Sequence, residues 1–136
     1  MFEISNLLRR VNLEDGVTHD EFIKIMENLE DQDDSLVLLD PEDIGRVFET
    51  HEKATFGRIN INKTAAGIGI SDFPAWLKEQ ESECSVVCLF ITGDLDLIEG
   101  YDAAEQVSGL LPEKTDVLFT LKQTDDPDIK TCVLAA

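Results

Sequence analysis

The chain has 136 residues, of which 29 are acidic and 11 are basic, so its formal net charge at neutral pH is −18. A field of this sign repels phosphate backbones and anionic lipid headgroups, which excludes nucleic acid and bare membrane surfaces as favoured partners. No apolar run approaches the ~20 residues that a membrane span needs. The three cysteines cannot all pair, which is typical of a reducing compartment. We therefore expect a soluble, cytoplasmic protein without a membrane span.

The first part of the chain, residues 1–34, is predicted to be a helical extension. Apolar residues at helical spacing over 2–11 predict a first helix, and those over 18–29 predict a second one. Gly16 separates the two helices, and the acidic segment 30–34 ends the extension. The extension is expected to pack on the rest of the protein or to self-associate, and the sequence leaves both alternatives open.

The remainder, residues 35–136, is predicted to be an α/β domain. The periodicity predicts helices and strands in the order β-α-β-α-β-β after a leading helix. Because each helix between two strands requires a crossover, both should lie on one face of a four-stranded mixed sheet, which gives a two-layer sandwich. The predicted elements are a helix at 41–50, a strand at 54–60, a loop at 63–70, a helix at 71–81, a strand at 85–92, a helix at 97–111, and strands at 115–123 and 128–135.

Two acidic residues, Asp40 and Asp43, lie where an apolar segment passes into the helix at 41–50. Asp40 is a good N-cap, Pro41 suits the first helical position, and Asp43 meets the positive end of the helix dipole. Asp-Pro-x-Asp is common capping chemistry, so these residues alone predict a helix start and no more.

The order of short motifs along the chain adds a resemblance to a known family. From residue 35 to 136 the chain resembles the C-terminal domain of the FtsZ branch of the tubulin/FtsZ family. The motifs that carry this resemblance, in chain order, are Asp40-Pro-Glu-Asp43, Ala54-Thr-Phe-Gly57, Ile91-Thr-Gly93, Asp96-Leu97, Ala103-Ala-Glu105, Val117-Leu-Phe119 and Ile129-Lys-Thr-Cys-Val-Leu-Ala135.

The resemblance gives the two acidic residues a possible role. The family's catalytic loop reads Gly-x-x-Asn-x-Asp-x-x-Asp, and Asp40 and Asp43 fall on its two acids, whereas Ser35 replaces the Gly and Leu38 replaces the Asn. In the family these acids complete the nucleotide site of the next subunit. The family's Gly-rich nucleotide loop is missing from the sequence, and residues 1–34 are too few for its nucleotide-binding domain. The resemblance therefore implies a chain that is not itself an enzyme, needs no cofactor, and acts on GTP only in trans through Asp40 and Asp43.

These features together predict a protein-interaction module that binds or modulates an FtsZ-like cytoskeletal or cell-division polymer. The expected partner is a protein, either a full-length FtsZ-like GTPase or a second copy of this chain, with no role for nucleic acid. The alternative is an interaction or regulatory domain in an assembly unrelated to cell division.

A calcium-responsive binding protein is a further alternative. Asp31, Asp33, Ser35 and Glu42 occupy positions one, three, five and twelve of a calcium-binding loop. Leu36, however, stands where the tight turn needs Gly, which disfavours a metal site. We expect no other metal site, because strand alternation predicts that Cys84 and Cys88 are buried, apolar cysteines.

Overall fold

A computed structural model describes the protein over residues 7–14, 16–28, 35–37, 41–51, 53–72, 74–79 and 85–136. The elements in chain order are β1 (Val11–Leu13), α1 (His19–Asn28), β2 (Ser35–Val37), α2 (Pro41–Thr50), β3 (Ala54–Arg58), β4 (Asn60–Thr64), β5 (Gly67–Asp72), α3 (Ala75–Glu79), β6 (Val86–Gly93), α4 (Leu97–Gly109), β7 (Asp116–Gln123) and β8 (Lys130–Ala135).

The main sheet has six strands in the order β1-β3-β8-β6-β7-β2. β1 runs parallel to β3, and β6 runs parallel to β7, while the other neighbours are antiparallel. The four strands that the sequence predicts, at 54–60, 85–92, 115–123 and 128–135, are confirmed as β3, β6, β7 and β8. They form the middle of the sheet, and the mixed α/β class is therefore confirmed.

The central strand β6 has apolar side chains on both faces. Val87, Leu89 and Ile91 belong to one buried cluster, whereas Cys88 and Phe90 belong to another. Successive residues of a strand point to opposite faces, so the two clusters are the two faces of the sheet. A strand that is buried on both faces needs an apolar cover on each face.

The helices α3 and α4 cover the first face. Leu77 of α3 and Ala103 and Val107 of α4 are fully buried there. α4 lies so close to the sheet that a Cβ at Gly100 would be 2.6 Å from Leu121 Cδ2. The predicted placement of these two helices on a common face is confirmed. The predicted helix at 71–81 begins later, since residues 71 and 72 belong to β5.

The helices α1 and α2 cover the second face. Phe22 of α1 packs edge-on against Phe56 of β3, with 5.2 Å between ring centroids, and Ile44 of α2 is fully buried in the same cluster. The two-layer description must therefore be extended: helices lie on both faces of a sheet that is six strands wide. The reason is that the predicted extension, residues 1–34, supplies α1 as an apolar cover for β3, β6 and β8.

The described part of that extension also contributes to the sheet. Val11 pairs with Ala54 in the parallel β1–β3 ladder. The prediction that Val11 continues a helix is wrong, because pairing with β3 satisfies its backbone groups while its side chain remains buried in the second cluster. The division of the chain at residues 34 and 35 stays a prediction.

A second, two-stranded sheet is formed by the hairpin β4–β5. The sequence predicts a loop at 63–70, and this prediction is wrong: Lys63 pairs with Ile68 in an antiparallel ladder. Ile61 and Ile68 are buried in the first cluster, and this burial stabilises a hairpin whose glycines disfavour a strand. Among the described residues no helix is both long and apolar enough to cross a membrane.

Candidate functional site

The first candidate site is the start of α2, where the sequence places Asp40 and Asp43. β2 pairs antiparallel with β7 at the sheet edge, and α2 then returns over the second face. Asp43 lies in the first turn of α2, and its Oδ1 is 3.3 Å from Arg46 Nη1. The same Arg46 has Nη2 4.0 Å from Glu42 Oε2. Asp43 thus takes part in a local, partly exposed ion pair of the kind that stabilises a helix by a few tenths of a kcal/mol.

Asp40 lies outside the described residues, so the pair of acids is not seen together. The role of Asp40 and Asp43 in trans stays a prediction.

The calcium alternative falls largely outside the described residues as well. Asp31 and Asp33 are not described. Ser35 begins β2, where it pairs with Lys122, and Glu42 is the exposed partner of Arg46. Within the described part of the chain, no three His, Cys, Asp or Glu residues are grouped so as to hold a metal ion.

The described cysteines are structural. Cys88 of β6 and Cys132 of β8 are not joined in a disulfide and are buried in the second cluster. Burial raises the pKa of Cys132 to about 11, with Glu21 adding to the rise and Arg58 opposing it. A thiol that stays protonated at neutral pH is a poor nucleophile and a poor metal ligand. The prediction that Cys88 is buried is confirmed, and Cys84 lies outside the described residues.

A surface that the sequence analysis did not single out lies at the start of α4. Leu97 is 43% exposed, Ile98 is 79% exposed and Tyr101 is 56% exposed. The inner face of α4 consists instead of Gly100, Ala103, Ala104 and Val107, which are buried. These small residues allow the helix to lie close to the sheet, while the large apolar residues point outwards. We call Leu97, Ile98 and Tyr101 the α4 apolar patch.

Local hydrogen bonds fix the start of α4. Asp96 Oδ1 accepts a hydrogen bond from Glu99 N at 2.8 Å, and Glu99 Oε1 accepts one from Asp96 N at 3.1 Å. This reciprocal arrangement is a capping box, which satisfies two backbone donors that the first helical turn would otherwise leave free. The apolar patch is therefore presented on a well-defined helix end.

A groove of about 420 Å³ lies between α4 and the hairpin. Two contacts bring the hairpin to the helix: Gln106 Nε2 donates to Ile68 O at 2.7 Å, and Lys63 Nζ lies 3.1 Å from Glu99 Oε1. The hydrogen bond to Glu99 raises the pKa of Lys63 above its usual value, so Lys63 is charged at neutral pH. The groove is lined by Gly67, Ile68, Ile98, Glu99, Tyr101, Asp102 and Glu105.

The groove combines an apolar floor with an acidic rim. Ile68 is buried at its base, whereas Ile98 and Tyr101 border it and remain exposed. Of its three carboxylates, Glu99 is neutralised by Lys63, while Asp102 and Glu105 form no ion pair with any residue that the structure describes. The arrangement offers apolar contact together with two available negative charges, and it holds no nucleophile with a neighbouring base.

The signal for this surface is present in the sequence, in the predicted helix at 97–111. At helical spacing, Ile98, Tyr101 and Glu105 share a row that does not coincide with the row of Ala103 and Val107. The predicted helix at 97–111 is too long by two residues, because α4 ends at Gly109, and Leu110 beyond its end is 47% exposed.

Comparison with known proteins gives one kind of match. No protein-family model matches the chain, and no curated protein matches it. Among solved structures, a mutant of FtsZ from M. jannaschii matches with a TM-score of 0.58 at 11% sequence identity, covering 98% of this chain and 50% of the FtsZ chain. This chain thus spans about half the length of that FtsZ. A structural match at an identity this low shows similarity of fold alone. The chain has an FtsZ-like α/β fold that is consistent with the C-terminal domain of FtsZ.

Proposed function

We propose that this chain is a non-enzymatic protein-interaction domain that binds and modulates an FtsZ-like polymer. The observation that carries the proposal is the α4 apolar patch, where Ile98 and Tyr101 are both more than half exposed beside an acidic groove. Adjacent exposed apolar residues with a polar rim mark interaction sites on soluble proteins. The net charge of −18 disfavours nucleic acid and anionic membranes, which leaves protein as the favoured class of partner.

The fold supports an FtsZ-like partner. A domain with an FtsZ-like fold can present surfaces that resemble those by which FtsZ subunits meet, and it would then occupy one end of a polymer without extending it. Such a domain would lower polymer mass at a substoichiometric ratio.

The test uses an FtsZ-like GTPase from the same host, polymerised with GTP and sedimented with and without the full chain. We expect the chain to appear in the pellet and to change the polymer mass, and we expect the GTPase rate to change with it. If saturating chain changes neither polymer mass nor GTPase rate and stays in the supernatant, the proposed function is wrong.

The acids Asp40 and Asp43 are tested in the same assay. If they act on the partner's nucleotide, Asp40→Asn with Asp43→Asn will abolish the effect on GTPase rate while leaving sedimentation and folding nearly unchanged. If both readouts match the wild type, Asp40 and Asp43 only stabilise the start of α2, at about 1 kcal/mol for the cap.

We also propose that the chain alone neither binds nor hydrolyses GTP. Two carboxylates cannot replace the backbone N–H groups and helix N-terminus of a phosphate-binding loop, and the family's Gly-rich loop is missing from this sequence. Isothermal titration of the chain with GTP should give no binding heat. Stoichiometric GTP binding would contradict a non-enzymatic role.

A further inference from the structure

We propose that the groove between α4 and the hairpin binds a basic amphipathic segment of the protein partner. This inference deepens the proposed function, on which it rests, by naming the surface and the chemistry of the segment that the surface receives.

The groove has the apolar contact area that such a segment needs. Ile68 lies at its base, and Ile98 and Tyr101 stand at its border. Tyr101 is held in place by an edge-on contact with Phe119, with 5.1 Å between ring centroids. A tyrosine supported in this way can bury its exposed face against a partner at a small cost in side-chain entropy.

The charges of the rim select a basic segment. Lys63 lies beside Glu99 and also donates to Asp94 O at 3.1 Å, so the hairpin side of the groove is already neutralised. Asp102 and Glu105 on the helix side have no cationic partner in the part of the chain that the structure describes. An incoming Lys or Arg would pair with them, whereas an acidic segment would be repelled by them and by the net charge of −18.

The groove is better suited to a segment of protein than to a small molecule. Ile98, at 79% exposed, borders the groove without covering it, and small-molecule sites bury most of their ligand. An open groove along a helix is the geometry in which amphipathic segments dock through apolar residues at i, i+3 and i+4.

The probe for the test is a fluorescein-labelled synthetic peptide of about 14 residues, or roughly four helical turns, with Leu and Phe on one face and Lys on the other. Binding to the full chain is followed by fluorescence anisotropy. Two control peptides carry Glu in place of Lys, or the same residues in an order that has no apolar face. We expect the basic amphipathic peptide to bind, and both controls to bind at least about tenfold more weakly.

Two pairs of variants locate the binding site. Ile98→Lys should weaken peptide binding by about tenfold or more, since it removes an apolar contact and adds a like charge. Leu110→Lys is its matched control, because Leu110 is an exposed apolar residue at the opposite end of α4 that does not line the groove. Asp102→Asn with Glu105→Gln should weaken binding several-fold and flatten its salt dependence. Glu113→Gln with Asp116→Asn, which removes two exposed charges elsewhere, should leave binding unchanged.

Three outcomes would overturn the inference. Equal binding of the peptide without an apolar face would assign the effect to net charge alone. Wild-type affinity in Ile98→Lys would place the site elsewhere. A dimer of the wild type that Ile98→Lys dissociates, seen by analytical ultracentrifugation, would make a second copy of this chain the occupant.

The inference and the proposed function fail in different ways. If the wild type and Ile98→Lys sediment equally with the FtsZ-like polymer, the groove is not the contact and only the inference is wrong. If the wild type stays in the supernatant and changes neither polymer mass nor GTPase rate, the proposed function is wrong.

Discussion

The indole ring of Trp76 lies against the Cα of Gly57, so closely that a Cβ at Gly57 would come within 2.5 Å of the ring carbon Cζ2. Gly57 belongs to β3 and Trp76 to α3, and this contact therefore sets how near α3 lies to the sheet. The packing of the first face therefore requires a residue without a side chain at position 57, because the indole of Trp76 fills that space.

Gly57→Ala should destabilise the protein by roughly 1–3 kcal/mol, because the added methyl group forces the indole or the strand to move. Urea unfolding followed by circular dichroism gives the free energy of unfolding. Gly69→Ala is the matched control, since a Cβ there meets no atom within 4 Å, and it should change stability by less than about 0.5 kcal/mol. The cost of Gly57→Ala should shrink in a Trp76→Ala background, and an unchanged cost there would contradict this explanation.

Phe119→Ala should lower the free energy of unfolding by about 3 kcal/mol, because it removes a ring that is buried between β7 and α4. Tyr101→Ala removes the ring that touches Phe119 from the exposed side, and we expect it to cost about 1 kcal/mol. Thermal or urea unfolding of the two variants measures both values. A loss below about 0.5 kcal/mol for Phe119→Ala would be inconsistent with its place in the core.

Asp96→Ala should cost about 1 kcal/mol, since it leaves the N–H of Glu99 without its capping acceptor. Asp96→Ser keeps an acceptor at this position and should recover most of the stability. Amide hydrogen exchange adds a local readout, because loss of the cap should increase exchange in the first turn of α4 before it affects β6. Equal stability of the Ala and Ser variants would show that the cap contributes nothing.

Cys132 should make the protein less stable at alkaline pH. Burial raises the pKa of its thiol from 9.0 to about 11, so the unfolded chain releases this proton first as the pH rises. The stabilisation is complete below about pH 9 and is lost up to about pH 11, by up to roughly 2–3 kcal/mol. Unfolding in urea at about pH 8 and about pH 10.5 should show a smaller fall in stability for Cys132→Ala than for the wild type. If the free energy of unfolding falls equally in the wild type and in Cys132→Ala, groups other than Cys132 cause the loss of stability at alkaline pH.

The strongly patterned elements of the fold could be predicted from the sequence. The helix at 41–50 has Pro41 at its first position and a clear apolar face, and the structure gives it the same bounds. Leu89 and Phe119 sit in apolar runs that are long enough to form buried strands, and they pair in the parallel β6–β7 ladder.

The hairpin β4–β5 could not be predicted in this way. Its turn contains Ala65 and Ala66, which lack the usual Asn-Gly signal, and the positive φ of 119° falls instead on Gly67. Gly67 and Gly69 also weaken the strand pattern around Ile68. The hairpin exists because tertiary packing buries Ile61 and Ile68. The strand propensity of the local sequence does not reveal that packing.

The candidate site likewise has one part that the sequence predicts and one part that it does not. Asp43 lies in the first turn of α2, as predicted, because Pro41 and the acidic residues beside it are a local signal for a helix start. The groove depends on where the hairpin lies relative to α4, through contacts such as Gln106 to Ile68, which join residues that are distant in sequence. Without the hairpin, Ile98 and Tyr101 are only two apolar residues in a helix.

The position of β8 in the sheet has a consequence for biosynthesis. β8 lies between β3 and β6, pairing Leu134 with both Phe56 and Cys88, yet it follows all the other strands in chain order. A growing chain that has not yet reached Lys130 can join β6 to β7, but it has no strand with which to connect them to β1 and β3. Closure of contacts so distant in sequence is slow. The apolar surfaces of both halves therefore stay accessible to chaperones until β8 has been synthesised and has paired with β3 and β6.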